Sequence, residues 1–352
     1  MHTITYHATM VLAEELLNGY LSVTDGRITY VGTERPDGDV VELTDGIIAP
    51  GFIDIHCHTS LRHSAVEDPC EVADFHRAHG TTTMLLTYYR DIPHEELLAC
   101  LARTKEAMSC CSNLYGAHLE GPYLNANLGY GQGVNDSPDP TKYEAYIASG
   151  VVRQWTCAPE IEGTPAFIAR IASAGIVPAI GHSTANYDQV KTAYEHGARI
   201  ATHLFDATGT PETRYLGTLE VTFNEACMLM DDLFCEVICD SQWIHVRREK
   251  LALLVKTVGA DRIVAITDMY SNDIDDGLDV NLIDGMLCGT KLTMDRVAVN
   301  LFNAGYSLPT IFKMTSRNPA RALGLSDRGE IAVGKRADLI LINRQAIFQK
   351  LL

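Results

Sequence analysis

Two histidines stand one residue apart at the end of an apolar run, in the segment GFIDIHCHTS at residues 51–60. In an extended strand, residues two apart point to the same side, so His56 and His58 would face one point in space. One explanation is a metal ion, which binds neutral imidazole nitrogen well. The other is that the two histidines stand at a strand end by chance. A metal requires further ligands elsewhere in the chain.

Four more residues of ligand type follow apolar, strand-like runs later in the chain: Glu120 in HLEGP, His182 in GHS, His203 in THLFDA and Asp268 in ITDM. Taken singly, such a histidine is more often a hydrogen-bonded structural residue, and an aspartate after a strand commonly caps a helix. Together with His56 and His58 they form a set of imidazoles and carboxylates that suits Zn²⁺ or Fe²⁺. The sequence therefore predicts a divalent metal site made of these residues.

The elements that must position these residues alternate between short strands and longer helices. After residue 50 there are eight strand-like runs, and between them lie amphipathic segments such as HEELLACLARTKEAMS and VRREKLALLVKTVG. Eight strands alternating with helices predict a (β/α)8 TIM-like barrel of the α/β class, whose functional residues lie at the C-terminal ends of the strands. A doubly wound open sheet is the alternative, but no GxGxxG turn follows a strand.

Both ends of the chain are expected to form a separate β-domain. Residues 1–50 contain strand-like segments with turn signals at Asp25-Gly26 and Asp45-Gly46, and residues 329–343 are typical of a further hairpin. The prediction is a small β-sandwich domain formed by residues 1–50 and 329–352, with the metal-dependent barrel inserted between them at residues 51–328.

Composition limits the partners and the compartment. The 352-residue chain has a net charge of −17, which argues against nucleic acid or an anionic membrane surface as a main partner. No apolar run reaches the length of a membrane span, and the first residues lack the pattern of a signal peptide. The ten cysteines contain no CxxC pair and lie mostly in apolar segments, as reduced and buried thiols do. We expect a cytoplasmic protein.

The chain resembles the N-acetylglucosamine-6-phosphate deacetylase family of the amidohydrolase superfamily along nearly its whole length. The segments that carry the resemblance occur in the order of the family, and they are APGFIDIHCH, HLEGPYLN, TCAPE, AGIVPAIGHSTA, ATHLFDAT, AITDM and GEIAVGKRADLILIN. The resemblance implies a metal-dependent barrel enzyme that hydrolyses the amide of an N-acetylamino sugar and releases acetate.

The resemblance also implies which residues hold the metal. Glu120, His182 and His203 match the ligands of the metal found throughout the family. His56 and His58 match the additional ligands of members that hold two metals, with Glu120 as the bridge. One or two divalent ions per chain are therefore implied, with zinc favoured and iron as the alternative.

Other matched positions concern the reaction and the substrate. Asp268 matches the catalytic aspartate and also belongs to the predicted ligand set. His245 matches a substrate-binding histidine, and Arg214 matches an arginine that contacts the sugar phosphate from a neighbouring subunit, which implies a homodimer. Gln132 and Asp206 are among the positions that depart from the family: Gln132 stands where a histidine polarises the acetyl carbonyl, and Asp206 stands where an asparagine is usual. Both remain candidates for binding the substrate.

Several residues near the predicted site have other expected roles. His118 is expected either to orient Glu120 or to pack beneath the site, and Glu160 at the end of the fourth strand is expected to be structural. Cys57 should lie in the core, on the face of its strand opposite to the two histidines. His76, like other histidines of helix-like segments, is expected to be solvated.

The predicted function is a metal-dependent hydrolase that removes the acetyl group from an N-acetylamino sugar, N-acetylglucosamine 6-phosphate or a close relative. A divalent metal would activate water near neutral pH, and Asp268 would serve as general base and then as general acid. One alternative is another amidohydrolase that acts on an N-acyl amino acid or a cyclic amide, although Arg214 and His245 favour a sugar phosphate. The other is a non-enzymatic binding protein, which would have no need of the whole ligand set.

Overall fold

The computed structural model of the protein describes residues 2–129, 136–211, 213, 217–270 and 277–352. Gln132 and Arg214 lie outside the described residues. Four strands come first: β1 (Thr3–Val11), β2 (Leu16–Thr24), β3 (Arg27–Gly32) and β4 (Val40–Pro50). β2 pairs antiparallel with both β1 and β3, whereas β4 lies parallel to β1.

The two Asp-Gly pairs of this region behave differently. Asp25-Gly26 forms the predicted turn between β2 and β3, and its residues have the positive φ angles, 48° and 77°, that such a two-residue turn requires. The prediction of a turn at Asp45-Gly46 is wrong, because both residues lie inside β4. A Cβ atom at Gly46 would lie 2.5 Å from Leu341 Cδ1, so the glycine allows a close approach of a side chain from the C-terminal end.

Eight parallel strands form the barrel, which confirms the predicted fold class. In chain order they are β5 (Phe52–Asp54), β6 (Thr81–Tyr89), β7 (Leu114–Glu120), β8 (Val152–Cys157), β9 (Val177–Ile180), β10 (Ile200–Ala201), β11 (Phe234–Ile238) and β12 (Ile263–Ile266). Each strand pairs with the next one along the chain. Beyond β5 and β12, a parallel bridge between Cys57 and Met269 closes the barrel, together with a 2.9 Å hydrogen bond from Asp268 N to His56 O.

The connecting segments are mostly helices that pack on the outward side chains of the barrel strands. They are α1 (Pro69–Ala78), α2 (His94–Ala107), α3 (Pro140–Ala148), α4 (Thr164–Ser173), α5 (Tyr187–Glu195), α6 (Phe223–Met228), α7 (Arg248–Val258), α8 (Met294–Asn303), α9 (Leu308–Phe312) and α10 (Asn318–Ala322). A hairpin of β13 (Val280–Ile283) and β14 (Met286–Thr290) follows β12. In the described part of the chain, no helix has the length and apolar character needed to cross a membrane.

Two C-terminal strands, β15 (Leu339–Ile342) and β16 (Phe348–Leu351), complete the first sheet, whose order is β16-β15-β4-β1-β2-β3. The hairpin predicted within residues 329–343 is wrong, because β15 pairs with β4 and β16 instead, and Gly334 adopts a positive φ of 91° in a turn ahead of it. We propose domain boundaries after residues 50 and 328, because β4 ends at Pro50 and β5 begins at Phe52.

The inside of the barrel is apolar toward one end and polar toward the other. Near the start of their strands, Ile53, Ile200 and Val264 belong to an apolar cluster that also includes Ala320 of α10. Closer to the strand ends, the buried side chains are polar, and they include His118, Gln154, Thr156, Thr202 and Glu236. Buried polar groups of this kind require hydrogen-bond partners, so the polar end must be organised by specific contacts.

Candidate active site

The ligand residues predicted from the sequence meet at the C-terminal ends of the barrel strands. His56 and His58 follow β5, Glu120 ends β7, His182 and His203 come two residues after β9 and β10, and Asp268 comes two residues after β12. Each of these residues is buried, with at most 7% of its surface exposed. The structure thus brings the whole predicted set together in one place that is shielded from bulk water.

Glu120 lies at the centre of this set. Its Oε1 atom is 2.9 Å from both His182 Nε2 and His203 Nε2. The same atom is 3.5 Å from His56 Nε2, and Oε2 is 3.3 Å from His58 Nε2. Two groups of ligand-type atoms therefore share one carboxylate, the first with His56 and His58 and the second with His182 and His203.

Asp268 lies on the side of His56 and His58. Its Oδ1 atom is 3.2 Å from His56 Nε2 and 3.3 Å from His58 Nε2. The backbone hydrogen bond that closes the barrel joins Asp268 N to His56 O, so the strand pairing itself fixes the distance between these residues. The carboxylate of Asp268 can therefore reach any group bound between the histidines and the cavity.

Three residues of the set adopt left-handed backbone conformations. The φ angles are 47° at His182, 28° at His203 and 45° at Asp268. A residue with a side chain adopts this region at a cost of order 1–3 kcal/mol, and such residues cluster at functional sites. The strained turns direct these side chains back over the barrel mouth as soon as their strands end.

The pKa values of Glu120, Asp268 and His56 are shifted because these ionisable groups lie close together. Burial opposes ionisation of Glu120, but attraction to His56 and hydrogen bonds with neighbouring imidazoles outweigh it and hold the pKa of Glu120 well below its usual value. Burial likewise opposes ionisation of Asp268, yet attraction to His56 and a hydrogen bond with His58 lower its pKa. For His56 the two carboxylates raise the pKa against the effect of burial. Both carboxylates are therefore ionised at neutral pH and attract cations.

The residues of this set fit a divalent metal ion. His56 Nε2 is buried and makes no hydrogen bond within the described residues, although the imidazole is surrounded by polar atoms. His182 Nε2 and His203 Nε2 are only 3.1 Å apart, with Glu120 Oε1 beside both. Imidazole nitrogen and carboxylate oxygen are ligands that Zn²⁺ and Fe²⁺ accept, and a cation would satisfy the lone pairs that converge here.

Glu236 is a residue of this site that the sequence analysis missed. It lies in β11, and its Oε2 atom is 3.3 Å from both His56 Nδ1 and His203 N. Gln154 Nε2 donates to Glu236 Oε1 at 2.8 Å. A carboxylate on the far ring nitrogen fixes the orientation of a histidine and strengthens it as a ligand. The feature of the sequence that could have indicated this role is the position of Glu236, a charged residue, inside the apolar run LFCEVICD.

His118 packs beneath the site and does not hydrogen bond to Glu120. Its Nδ1 atom is 3.2 Å from Thr87 Oγ1 and its Nε2 atom is 2.8 Å from Thr156 Oγ1. Burial holds the pKa of His118 well below its usual value, so the ring is neutral. Its edge meets the ring of His56 at a centroid distance of 4.6 Å, and this contact supports the position of His56.

The other expected roles are partly confirmed. Glu160 is structural, since its carboxylate accepts hydrogen bonds from Asn125 Nδ2, Ser183 Oγ and Thr184 N. Cys57 is buried in the core as expected. The prediction that His76 is solvated is wrong, because α1 turns its ring inward, where Nε2 lies 3.0 Å from Cys57 Sγ. Burial lowers the pKa of His76 to about 4.

A cavity of about 340 Å³ opens beside the set of ligand residues. Its wall includes Asp206, as well as Tyr89, Tyr270 and Cys288. The part of the cavity wall that the structure describes contains no lysine or arginine. It contains three carboxylates that do not belong to the predicted ligand set, those of Asp91, Glu96 and Asp206. An anionic substrate group would therefore need a cation from elsewhere.

His245 lies outside the described wall of this cavity. It is buried, and its Nδ1 atom is 3.4 Å from Asp240 Oδ2. Burial opposes its protonation, but the contact with Asp240 outweighs burial and raises the pKa of His245. Of the four residues expected to bind substrate, the structure places Asp206 in the cavity wall and His245 outside the described wall, whereas Gln132 and Arg214 lie outside the described residues.

Comparison with known proteins identifies the relatives of this chain. The profile of the Amidohydrolase family matches residues 47–351. N-acetylglucosamine-6-phosphate deacetylase of Bacillus subtilis is 28% identical, over 94% of this chain and 90% of the relative. N-acetylgalactosamine-6-phosphate deacetylase of Shewanella sp. is 27% identical, over 97% of this chain and 89% of the relative.

The fold agrees with these matches. The crystal structure of N-acetyl-D-glucosamine-6-phosphate deacetylase from Mycobacterium smegmatis has a TM-score of 0.88 to this chain, with 28% identity, over 100% of this chain and 98% of that one. The resemblance indicated by the sequence motifs is therefore confirmed over the full length. The chain belongs to the Amidohydrolase family, whose members are metal-dependent hydrolytic enzymes.

Proposed function

We propose that the protein hydrolyses the acetamide of an N-acetylamino sugar phosphate, giving acetate and the amino sugar phosphate. The observation that carries the proposal is a carboxylate, Glu120, within 3.5 Å of four imidazoles and beside Asp268, at the mouth of a barrel. The full-length relatives are named as deacetylases of two 6-phosphorylated N-acetylhexosamines, the glucosamine and galactosamine forms. N-acetylglucosamine 6-phosphate or its close relative is therefore the proposed substrate.

The proposed cofactor is Zn²⁺, with Fe²⁺ as the alternative. Glu120, His182 and His203 would hold one ion, and His56 and His58 with Glu120 would hold a second. A divalent ion bound in this place supplies Lewis acidity, which activates water near neutral pH and polarises a carbonyl group. The cavity volume of about 340 Å³ is in the range of small-molecule sites, which leaves room for a sugar beside the ligands.

Asp268 is the proposed acid–base residue. Its pKa is lowered, because attraction to His56 and the hydrogen bond with His58 outweigh burial, so the carboxylate is ionised and able to accept a proton from the attacking water. The same carboxylate then delivers that proton to the nitrogen of the leaving amine. Glu236 would hold His56 in the orientation that leaves Nε2 directed at the centre, because it contacts Nδ1 of that ring.

Arg214 is the proposed phosphate ligand, supplied by a neighbouring subunit of a homodimer. The described cavity wall carries only negative charge apart from its histidines, so a phosphate there depends on a cation from another segment or subunit. All ten cysteines lie in the described residues as free thiols, which is typical of a reducing compartment. We therefore also propose a cytoplasmic location, where a sugar phosphate would be encountered.

Acetate release is the direct test of the activity. We expect purified protein to release acetate from N-acetylglucosamine 6-phosphate or N-acetylgalactosamine 6-phosphate, and to contain at least about one zinc or iron ion per chain. A chelator should abolish the activity and added metal should restore it. Acetate is measured for both sugars with and without phosphate, with metal content determined on the same sample. A metal-loaded sample that releases no acetate from any of them would refute the deacetylase proposal.

Asp268→Asn separates proton transfer from metal binding. The amide keeps the size of the side chain but cannot accept a proton, so we expect kcat to fall by about 10²–10⁴-fold with metal content near wild type. The acidic limb of the pH–rate profile should disappear. Asp91→Asn is the matched control, because it removes a carboxylate of the same cavity wall outside the ligand set. A metal-loaded Asp268→Asn enzyme that keeps more than roughly a tenth of kcat would exclude the proton-transfer role.

Glu236→Gln tests the support of His56. We expect a loss of roughly 10- to 100-fold in metal affinity or activity, because the neutral amide no longer strengthens the ring as a ligand. Metal affinity is measured by competition with a chelator, and the free energy of unfolding is measured in parallel. Asp295→Asn is the control, since Asp295 pairs with His79 at 3.5 Å in another part of the protein. Equal losses in both variants would mean that Glu236 has no specific role at the centre.

Arg214→Ala tests the phosphate site. Loss of a charged hydrogen bond of roughly 1.5–3 kcal/mol corresponds to about a 10- to 100-fold effect. We expect KM to rise by that factor for a phosphorylated substrate and to change little for the same sugar without phosphate. The readout is the ratio of the two KM values in the variant and in the wild type. Equal changes for the two sugars would remove Arg214 from the phosphate site and leave the deacetylase proposal intact.

A further inference from the structure

Three cysteines lie together in the helical layer, away from the barrel mouth. Cys70 is the second residue of α1, and Cys110 and Cys111 lie in the turn that follows α2. The Sγ atoms of Cys70 and Cys110 are 3.5 Å apart, and those of Cys110 and Cys111 are 3.8 Å apart. All three Sγ atoms lie within 4.8 Å of one another. The proposed hydrolysis uses none of these thiols.

We propose that these three thiols bind one thiophilic cation of the Zn²⁺ and Cd²⁺ class, as a site separate from the one at the barrel mouth. A metal–sulfur bond of about 2.3 Å with tetrahedral angles places neighbouring sulfur atoms roughly 3.8 Å apart. The two distances from Cys110 Sγ to its neighbours are close to that spacing. The three sulfur atoms can therefore reach one ion through small side-chain rotations.

Backbone contacts hold Cys110 and Cys111 in place, and Cys110 is left open to solvent. Cys110 Sγ donates to Ala107 O at 3.3 Å, and Cys111 N donates to the same carbonyl oxygen at 2.8 Å. Cys111 is buried, Cys70 is half-buried and Cys110 is exposed. An ion can enter past Cys110, and water can complete the four ligands that Zn²⁺ prefers.

The thiol cluster and the barrel-mouth site are distinct in position and in ligand chemistry. Cys111 lies shortly before Leu114, where β7 begins, whereas Glu120 is the last residue of β7. A strand rises about 3.3 Å per residue, so the length of β7 separates the two places by roughly 20 Å. Thiolates prefer soft cations, whereas imidazole and carboxylate at the barrel mouth accept harder ones. Each site can therefore be filled without the other.

Cadmium gives a direct test, because bonds from Cd²⁺ to thiolate absorb in the ultraviolet and bonds from Cd²⁺ to imidazole or carboxylate do not. Titration of the reduced full-length protein with cadmium chloride should produce a saturating thiolate band from one ion per chain. We expect Cys110→Ser and Cys70→Ser each to weaken this binding by at least about tenfold, which is about 1.4 kcal/mol. Cys110 is exposed, so its replacement leaves the core intact.

Ser109→Ala is the matched control, because Ser109 is an exposed residue of the same turn and only its hydroxyl, which donates to Glu106 O, is lost. This variant should keep the wild-type band. A wild-type protein without the band would overturn the site, and so would a Cys110→Ser band equal to that of the wild type. A band lost in Cys110→Ser but kept in Cys70→Ser would overturn the three-thiol assignment. Acetate release should be unchanged in all three variants, so this test and the test of the deacetylase activity can fail independently.

Discussion

A carboxylate buried among imidazoles is the interaction on which the functional end of this protein depends. Glu120 lies within 3.5 Å of histidine Nε2 atoms that follow three other barrel strands, β5, β9 and β10. A charge removed from water costs several kcal/mol unless opposite charges and hydrogen bonds compensate it. The parallel barrel provides this compensation, because all of its strands end at the same rim. The position of each residue of this set is therefore determined by sheet topology more than by any single loop.

The two ends of the barrel interior are stabilised in different ways. The apolar cluster that includes Ile53, Ile200 and Val264 excludes water and fixes the strands by close packing. The polar end is held by a hydrogen-bond network, in which Gln154 contacts Glu236 and Glu236 contacts His56. Left-handed backbone at the strand ends is unfavourable by itself, and the packing of the apolar end offsets that cost. The placement of the residues around Glu120 thus depends on side chains outside that set.

The sequence was sufficient to predict the barrel because each strand is a short apolar run and each helix has its own periodicity. The residue types at the strand ends likewise indicated a metal site. Glu236 was missed because its contact with His56 joins residues 180 positions apart, and no local pattern reports which strands face each other. The prediction that His76 is solvated failed because a polar side chain is usually exposed to solvent, whereas this one lies on the buried face of its helix, against Cys57. At Gly46 a local turn signal was overridden by close packing with Leu341.

The seam between β5 and β12, where the barrel closes, has a consequence for how the chain folds during synthesis. Thr267 Oγ1 donates to Asp54 Oδ2 at 2.6 Å, a contact between residues 213 positions apart, and Asp268 and His56 lie on the same seam. During synthesis His56 and His58 leave the ribosome long before Asp268 is added to the chain. Contacts of such sequence separation form late, because the entropy of closing the intervening chain must be overcome first. A nascent chain that ends before β12 therefore lacks both Asp268 and the contacts that place it beside His56, so the group of residues around Glu120 is complete only after the last barrel strand docks against the first.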